Sequence, residues 1–249
     1  MPFFKLIIAY DGTDYSGWQV QPNGVTIQQR LEEAWCEVTS ENVRIIASGR
    51  TDAGVHAEGQ VCSVESETLL DCSTLRRALN ASCPESLSVL EVEFAESGFH
   101  AIRDAVQKTY RYQIQFGRVR DPLQCQWCWF VPSLVDVAAL KQAAGLLEGK
   151  HDFVSFQATG SDRKTTIRNV MRIEIQERQR SVFRYLDITV TADGFLYNMV
   201  RNIVGTLVAV GQGRQPPEWV SQVLEQKDRK FAGPTAPAHG LFLVDVVYP

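Results

Sequence analysis

Apolar and polar positions along this chain change period several times, and the changes outline its elements. Residues 3–10, Phe-Phe-Lys-Leu-Ile-Ile-Ala-Tyr, predict a first strand. Over 26–39 the spacing turns helical. Ile27, Leu31, Ala34, Trp35 and Val38 share a face, and Thr26 with Gln29 forms a candidate capping box. The patterns then predict strands at 43–48 and 59–66, a helix at 73–81 and a strand at 87–95.

The second half repeats this order. Lys108 to Phe116 alternates like a strand. Ser133 is a candidate cap for a helix whose apolar face includes Leu140, Ala143, Ala144 and Leu147. Residues 167–177 and 182–192 read as a hairpin, and a helix follows with Met199, Ile203, Leu207 and Val210 on one side. Pro216 and Pro217 start an extra helix carrying Trp219, Val220, Val223 and Leu224, and Leu241 to Val247 closes the series as a strand. Two successive β-α-β-β-α-β series predict an α+β fold of two ferredoxin-like (RRM-like) halves, 1–100 and 101–249. No linker-like segment separates them. The expectation is therefore one continuous, mainly antiparallel sheet with helices on one side and a cleft where the halves meet, a natural ligand site.

Composition narrows the class. No stretch approaches a membrane span, and the first residues run directly into a strand, so neither a membrane segment nor a signal peptide is expected. Six cysteines are irregularly spaced: Cys36, Cys62, Cys72, Cys83, Cys125 and Cys128. Cys125-Gln126-Trp127-Cys128 has redox-motif spacing, but Trp-Phe-Val-Pro follows it instead of a helix. No second pair completes a zinc site, so the expectation is buried thiols in a reducing cytoplasm and no metal. The net charge of −4 hides an asymmetry. Residues 1–100 carry 6 Lys and Arg against 15 Asp and Glu, net −9; the remainder carries 19 against 14, net +5. Basic residues gather at Arg103, Lys108, Arg111, Arg118 and Arg120, and at Arg163, Lys164, Arg168 and Arg172. Such a distribution can bind a polyanion despite an acidic total, although basic clusters also occur as solvated faces.

The densest chemistry lies in Ser48-Gly49-Arg50-Thr51-Asp52-Ala53-Gly54-Val55-His56, a tight loop leaving a strand. Asp52 has two readings. It suits a turn, where its side chain accepts a local N–H. It also suits a reagent, because a carboxylate that must stay ionised in a partly dry pocket needs a nearby cation, and Arg50 and His56 are close in sequence. Four other segments could join it. Tyr10 to Gln19 is a Gly-punctuated loop in which Trp18 reads as a core anchor. Phe99-His100-Ala101-Ile102-Arg103 precedes Tyr110-Arg111-Tyr112, whose tyrosines share a strand face and suit either packing or base stacking. Arg201 stands in an otherwise apolar helix and would snorkel to solvent or need a partner; Asp52 is an available carboxylate. Phe153-Val154-Ser155-Phe156, with Gly160-Ser161 and Thr165 to Arg168, reads as a strand and loop able to touch an anion.

Taken together, these segments resemble the tRNA pseudouridine synthase A family (tRNA-uridine isomerase I), over nearly the whole chain. Gly49 to His56 is the most specific piece. Tyr10-Asp11-Gly12, Gly17-Trp18-Gln19, Phe99-His100-Ala101, Tyr110-Arg111-Tyr112 and Met199 to Gly205 support it in the family's order. One departure is Ile102-Arg103, where many members have arginine directly after the alanine. The resemblance implies a cofactor-free isomerase that converts uridine to pseudouridine in the anticodon arm of tRNA, at positions thirty-eight to forty. It implies a cytoplasmic homodimer with tRNA as its partner. Asp52 would be the catalytic carboxylate, Arg201 its ion-pair partner, and Tyr110 the ring on the target base. Arg50, His56, Arg103 and Arg111 would serve substrate binding. Two other classes compete. A non-catalytic RNA-binding protein leaves Asp52 unexplained, since carboxylates repel phosphate. A thiol oxidoreductase would need Cys125 and Cys128.

Overall fold

A computed structural model describes residues 2–158, Gly160 and 165–249. Ser161, Arg163 and Lys164, singled out above, lie outside the described residues. Along the chain run β1 (Phe3–Tyr10), α1 (Ile27–Thr39), β2 (Ile46–Ala47), β3 (His56–Glu65), α2 (Cys72–Ser82) and β4 (Leu87–Ala95). Then come β5 (Gln107–Phe116), β6 (Trp129–Val131), α3 (Val137–Gly145), β7 (Gly149–Asp152), β8 (Ile167–Arg180) and β9 (Phe183–Ala192). The series ends with α4 (Met199–Gly211), α5 (Trp219–Gln226) and β10 (Leu241–Val247). The fold is α+β and mainly antiparallel. It divides into two compact units, Met1–Val106 with Phe242–Pro249, and Gln107–Leu241.

In the first unit the strand order is β4-β1-β3-β10, with β2 also on β3. β1 pairs antiparallel with β3 and β4, and alternation buries Phe4, Leu6 and Ile8 completely. Each such burial is worth roughly 1.5–3 kcal/mol. α1 starts where predicted because Thr26 is extended and its side chain accepts from Gln29 N at 3.3 Å. Only this half of the capping box forms; the Gln29 amide N–H donates to Glu33 at 2.8 Å. β10 lies parallel to β3, pairing Phe242 with His56 and Leu243 with Ala57. The expected strand at 43–48 contracts to β2, paired at Ile46–Ser63 and Ala47–Cys62. Glu32 Oε1 takes up the Ile45 N–H at 2.9 Å, so Ile45 needs no strand partner for it.

In the second unit β5, β9, β8 and β7 are neighbours in that order, and β6 lies parallel to β5. The predicted hairpin is β8–β9. β6 and β7 are additions to the predicted series. α3 starts at Asp136, whose carboxylate accepts from Ala138 N at 2.9 Å and Ala139 N at 3.1 Å. Ser133 is not its cap; its hydroxyl accepts from the Gln212 amide at 2.9 Å. Residues Val154–Phe156 form a 3-10 turn, not the expected strand, with Phe153 and Phe156 buried. All of α4 is buried apart from half-exposed Arg201, so it is a core helix and not an amphipathic surface one. Cys128 is buried as expected, whereas Cys125 is exposed, on a turn closed by Cys128 N donating to Gln124 O at 3.1 Å. No described helix is long and apolar enough to cross a membrane.

Candidate active site

Asp52 opens a four-residue turn. Val55 N donates to the Asp52 carbonyl at 3.1 Å, and Gly54 at the third position has φ +76, as a type II turn requires. The turn reading is thus correct for the backbone, and the Asp52 side chain is half-buried.

The surroundings of this turn are built backbone against backbone. Trp18 N donates to Thr51 O at 3.0 Å. A Cβ on Gly12 would stand 2.0 Å from Val55 O, so no other residue fits there without displacing the turn. From β1, Tyr10 shares a 2.8 Å hydrogen bond with Thr51 Oγ1, and its ring lies 6.3 Å from that of Trp18, the predicted core anchor. Burial pushes the Tyr10 phenol well above its usual range, so it works as a neutral hydroxyl. From β3, fully buried Gln60 accepts from Ser48 Oγ at 2.7 Å and donates to Gly49 O at 2.8 Å. The residues leading into Asp52 are therefore tied to β1 and β3.

His56 is buried, and its ring stacks on Phe242 at 4.7 Å. Gly12 N donates to its Nδ1 at 3.1 Å, and Asp11 Oδ1 lies 3.1 Å from the same nitrogen. These two partners demand opposite tautomers. Asp11 Oδ1 already accepts from Thr13 N at 3.0 Å and Thr13 Oγ1 at 2.5 Å, which favours Nδ1 as the acceptor. The ring then anchors the Asp11–Gly12 loop. Arg50 is exposed and makes no ion pair among the described residues. Arg103 is exposed and ties down its own turn, donating to Asp104 at 2.9 Å and to Gly98 O at 2.7 Å.

The second unit holds Tyr110, Arg111 and Arg201. Tyr110 and Tyr112 occupy the buried face of β5. Tyr110 meets Phe195 edge-on at 5.0 Å, and Tyr112 donates its hydroxyl to Pro237 O at 2.7 Å. Arg111 is half-buried on the opposite face. Arg201 lies in the first turn of α4, where the helix dipole disfavours a cation, so acceptors must compensate. Its Nε donates to Ala236 O at 2.8 Å and one Nη to Asn198 Oδ1 at 2.8 Å. Sequence reasoning missed Asn202, Thr235 and Arg229 beside it. Only Asn202, a polar residue within the apolar helix, gave any signal.

A family model described as tRNA pseudouridine synthase matches residues 6–102 and 143–249. The matched residues include Arg50, Asp52, His56 and Arg201; Arg103, Tyr110 and Arg111 fall between the two matched segments. Relatives span that gap. A protein named tRNA pseudouridine synthase A from Syntrophotalea carbinolica is 44% identical over 248 residues, covering 100% of this chain and 97% of that protein. One of the same name from Pelobacter propionicus is 44% identical over 248 residues and 100% of both chains. A tRNA pseudouridine synthase A 1 from Protochlamydia amoebophila is 41% identical over 252 residues, covering 100% of this chain and 97% of that protein.

Proposed function

The chain belongs to the tRNA pseudouridine synthase family, and from that premise we propose that it isomerises uridines of the tRNA anticodon arm, at positions thirty-eight to forty, with Asp52 as the catalytic carboxylate. The observation that carries Asp52 is the construction of its turn. Gly12, Trp18, Tyr10 and Gln60 fix the loop from outside, and a reacting group needs such rigid support.

The reaction breaks an N-glycosidic bond, turns the freed uracil and joins its carbon to the same sugar. No atom is gained or lost, and the proposed chemistry uses no cofactor. Three steps are open to the Asp52 carboxylate: attack on the base, attack on the sugar, or removal of the proton at the sugar's second carbon. Each requires the ionised form. Arg201 is the proposed cation that holds Asp52 ionised at neutral pH. The target nucleotide must leave the stack, at a cost of a few kcal/mol. Stacking on Tyr110 returns roughly 1–3 kcal/mol by the standard of single-strand binders. Exposed Arg50 is the proposed backbone contact, with Arg103 and Arg111. His56 serves the substrate by holding the Asp11–Gly12 loop. The family resemblance supports a cytoplasmic homodimer, and each unit is read as ferredoxin-like.

Asp52→Asn preserves shape and removes the nucleophile and base. Pseudouridine formation on an anticodon-arm RNA should fall at least roughly 100-fold while RNA affinity persists. Pseudouridine formation at the parental rate would remove Asp52 from the mechanism. Loss of RNA binding with a folded protein would instead give Asp52 a binding role.

A further inference from the structure

We propose that Arg229 is a positioning residue for catalysis, acting on Arg201 through the segment 229–236 and Asn202. The proposal rests on the reading of Arg201 as the partner of Asp52.

Segment 229–236 crosses α4 at close range. A Cβ on Gly205 would stand 1.7 Å from Pro234 O, and one on Gly233 would stand 2.6 Å from Thr206 Cα. Both glycines let backbone lie directly on backbone. Ala236 forms a reciprocal pair with Arg201: its N–H donates to Arg201 O at 3.1 Å, and its carbonyl accepts from Arg201 Nε at 2.8 Å. The direction of the Arg201 guanidinium therefore depends on where Ala236 stands.

The position of Ala236 is set by a polar cluster under the segment. Arg229 donates one Nη to Asn202 Oδ1 at 2.9 Å and to Thr235 Oγ1 at 2.9 Å. Thr235 donates to Asn202 Oδ1 at 2.7 Å, and Asn202 Nδ2 donates to Phe156 O at 2.7 Å. Asn202 is fully buried; its Oδ1 accepts twice and its Nδ2 donates to Phe156 O. Thr206 Oγ1, donating to Asn202 O at 2.7 Å, accepts from Gly233 N at 2.9 Å. Arg229 makes no ion pair among the described residues, and burial lowers its pKa. A partly desolvated guanidinium held only by neutral oxygens is a costly way to stabilise a loop. One Nη spans α4 and the segment at once while the other donates to Ala232 O at 3.4 Å, a spread of donors that the planar guanidinium supplies and an ammonium does not. Asn202 adjoins Arg201 in the helix and Thr235 adjoins Ala236 in the segment, so this one Nη grips both neighbours of the reciprocal pair.

The test is a double-mutant cycle of Arg229→Gln and Arg201→Ala, assayed well below the melting temperature of each variant. Arg229→Gln should lower kcat on the order of 10- to 100-fold with little change in KM for RNA, the scale of a ~1 Å misplacement. The acid limb of its pH–rate profile should move to higher pH, because a displaced Arg201 holds Asp52 ionised less well. Arg229→Lys, which keeps charge but loses the fork, should recover only part of the rate. On Arg201→Ala, Arg229→Gln should add almost nothing. An undiminished loss on that background, or an unchanged kcat and acid limb alongside a lowered melting temperature, would leave Arg229 a structural residue and overturn the proposal. In either case a low rate for Arg201→Ala alone would keep the reading of Arg201. Full activity of Arg201→Ala would overturn that reading, and this proposal with it.

Discussion

Two glycines that do not react decide where Asp52 stands. Gly12 has no room for a Cβ against Val55 O, and Gly17, at φ +87, would bring one within 2.7 Å of Thr51 O. Gly12→Ala must push the turn away, at about 1–3 kcal/mol of overpacking. We expect a lower melting temperature and a kcat reduced well beyond KM. Gly98, at φ +84 with nothing within 4 Å, is the control. Gly98→Ala should cost about 1–2 kcal/mol of backbone strain and leave kcat unchanged. Thermal melts and steady-state kinetics of the two variants separate backbone strain from loop displacement. At this scale the sequence was informative about side chains that break their local pattern. Asp52 in a Gly-rich loop and Arg201 in an apolar helix stand out in this way. Arg229 and Thr235 do not, because they sit among ordinary loop residues and acquire meaning only when the chain returns to α4.

Elements with strong internal signals were legible almost to the residue. β4 and β10 have the predicted limits, and α1 begins after the predicted Thr26 cap. Elements that exist only through a neighbour were not. β7, Gly-Lys-His-Asp, has no apolar pattern and becomes a strand by pairing with the edge of β8. At α3 the predicted cap Ser133 bonds to Gln212, and Asp136 caps the helix. α2 offers a titratable cap. Hydrogen bonds from Ser73 and from Thr74 hold the Asp71 carboxyl far below its usual range. A depressed pKa adds stability above the unfolded value of about 4 and loses it as pH falls toward the folded one. Asp71→Asn should therefore lower stability at pH 7 and flatten its decline between about pH 4 and pH 2. Urea midpoints measured across that range would show parallel curves if the cap contributed nothing through its charge.

At the scale of the whole molecule, charge and chain order matter most. Residues 1–100 carry net −9 and the rest +5, so the positive residues available to a polyanion are concentrated in the later sequence. If phosphate contacts dominate tRNA affinity, KM should climb steeply between 50 mM and 200 mM salt, by about tenfold or more, while kcat barely moves. A flat KM would assign binding to base contacts alone. Chain order is unusual in another way. The first unit, which holds Asp52, includes Phe242–Pro249, separated from its other residues by all of the second unit. On the ribosome, the opening hundred residues emerge early, yet β3 at His56 and Ala57 must wait for Phe242 and Leu243. Until then the His56 imidazole lacks its stacking ring, and the loop it anchors is unfinished. Vectorial synthesis thus makes the Asp11–Gly12 loop, which packs on the Asp52 turn, a late part to mature, and the β3–β10 pairing forms only after translation has passed residue 243.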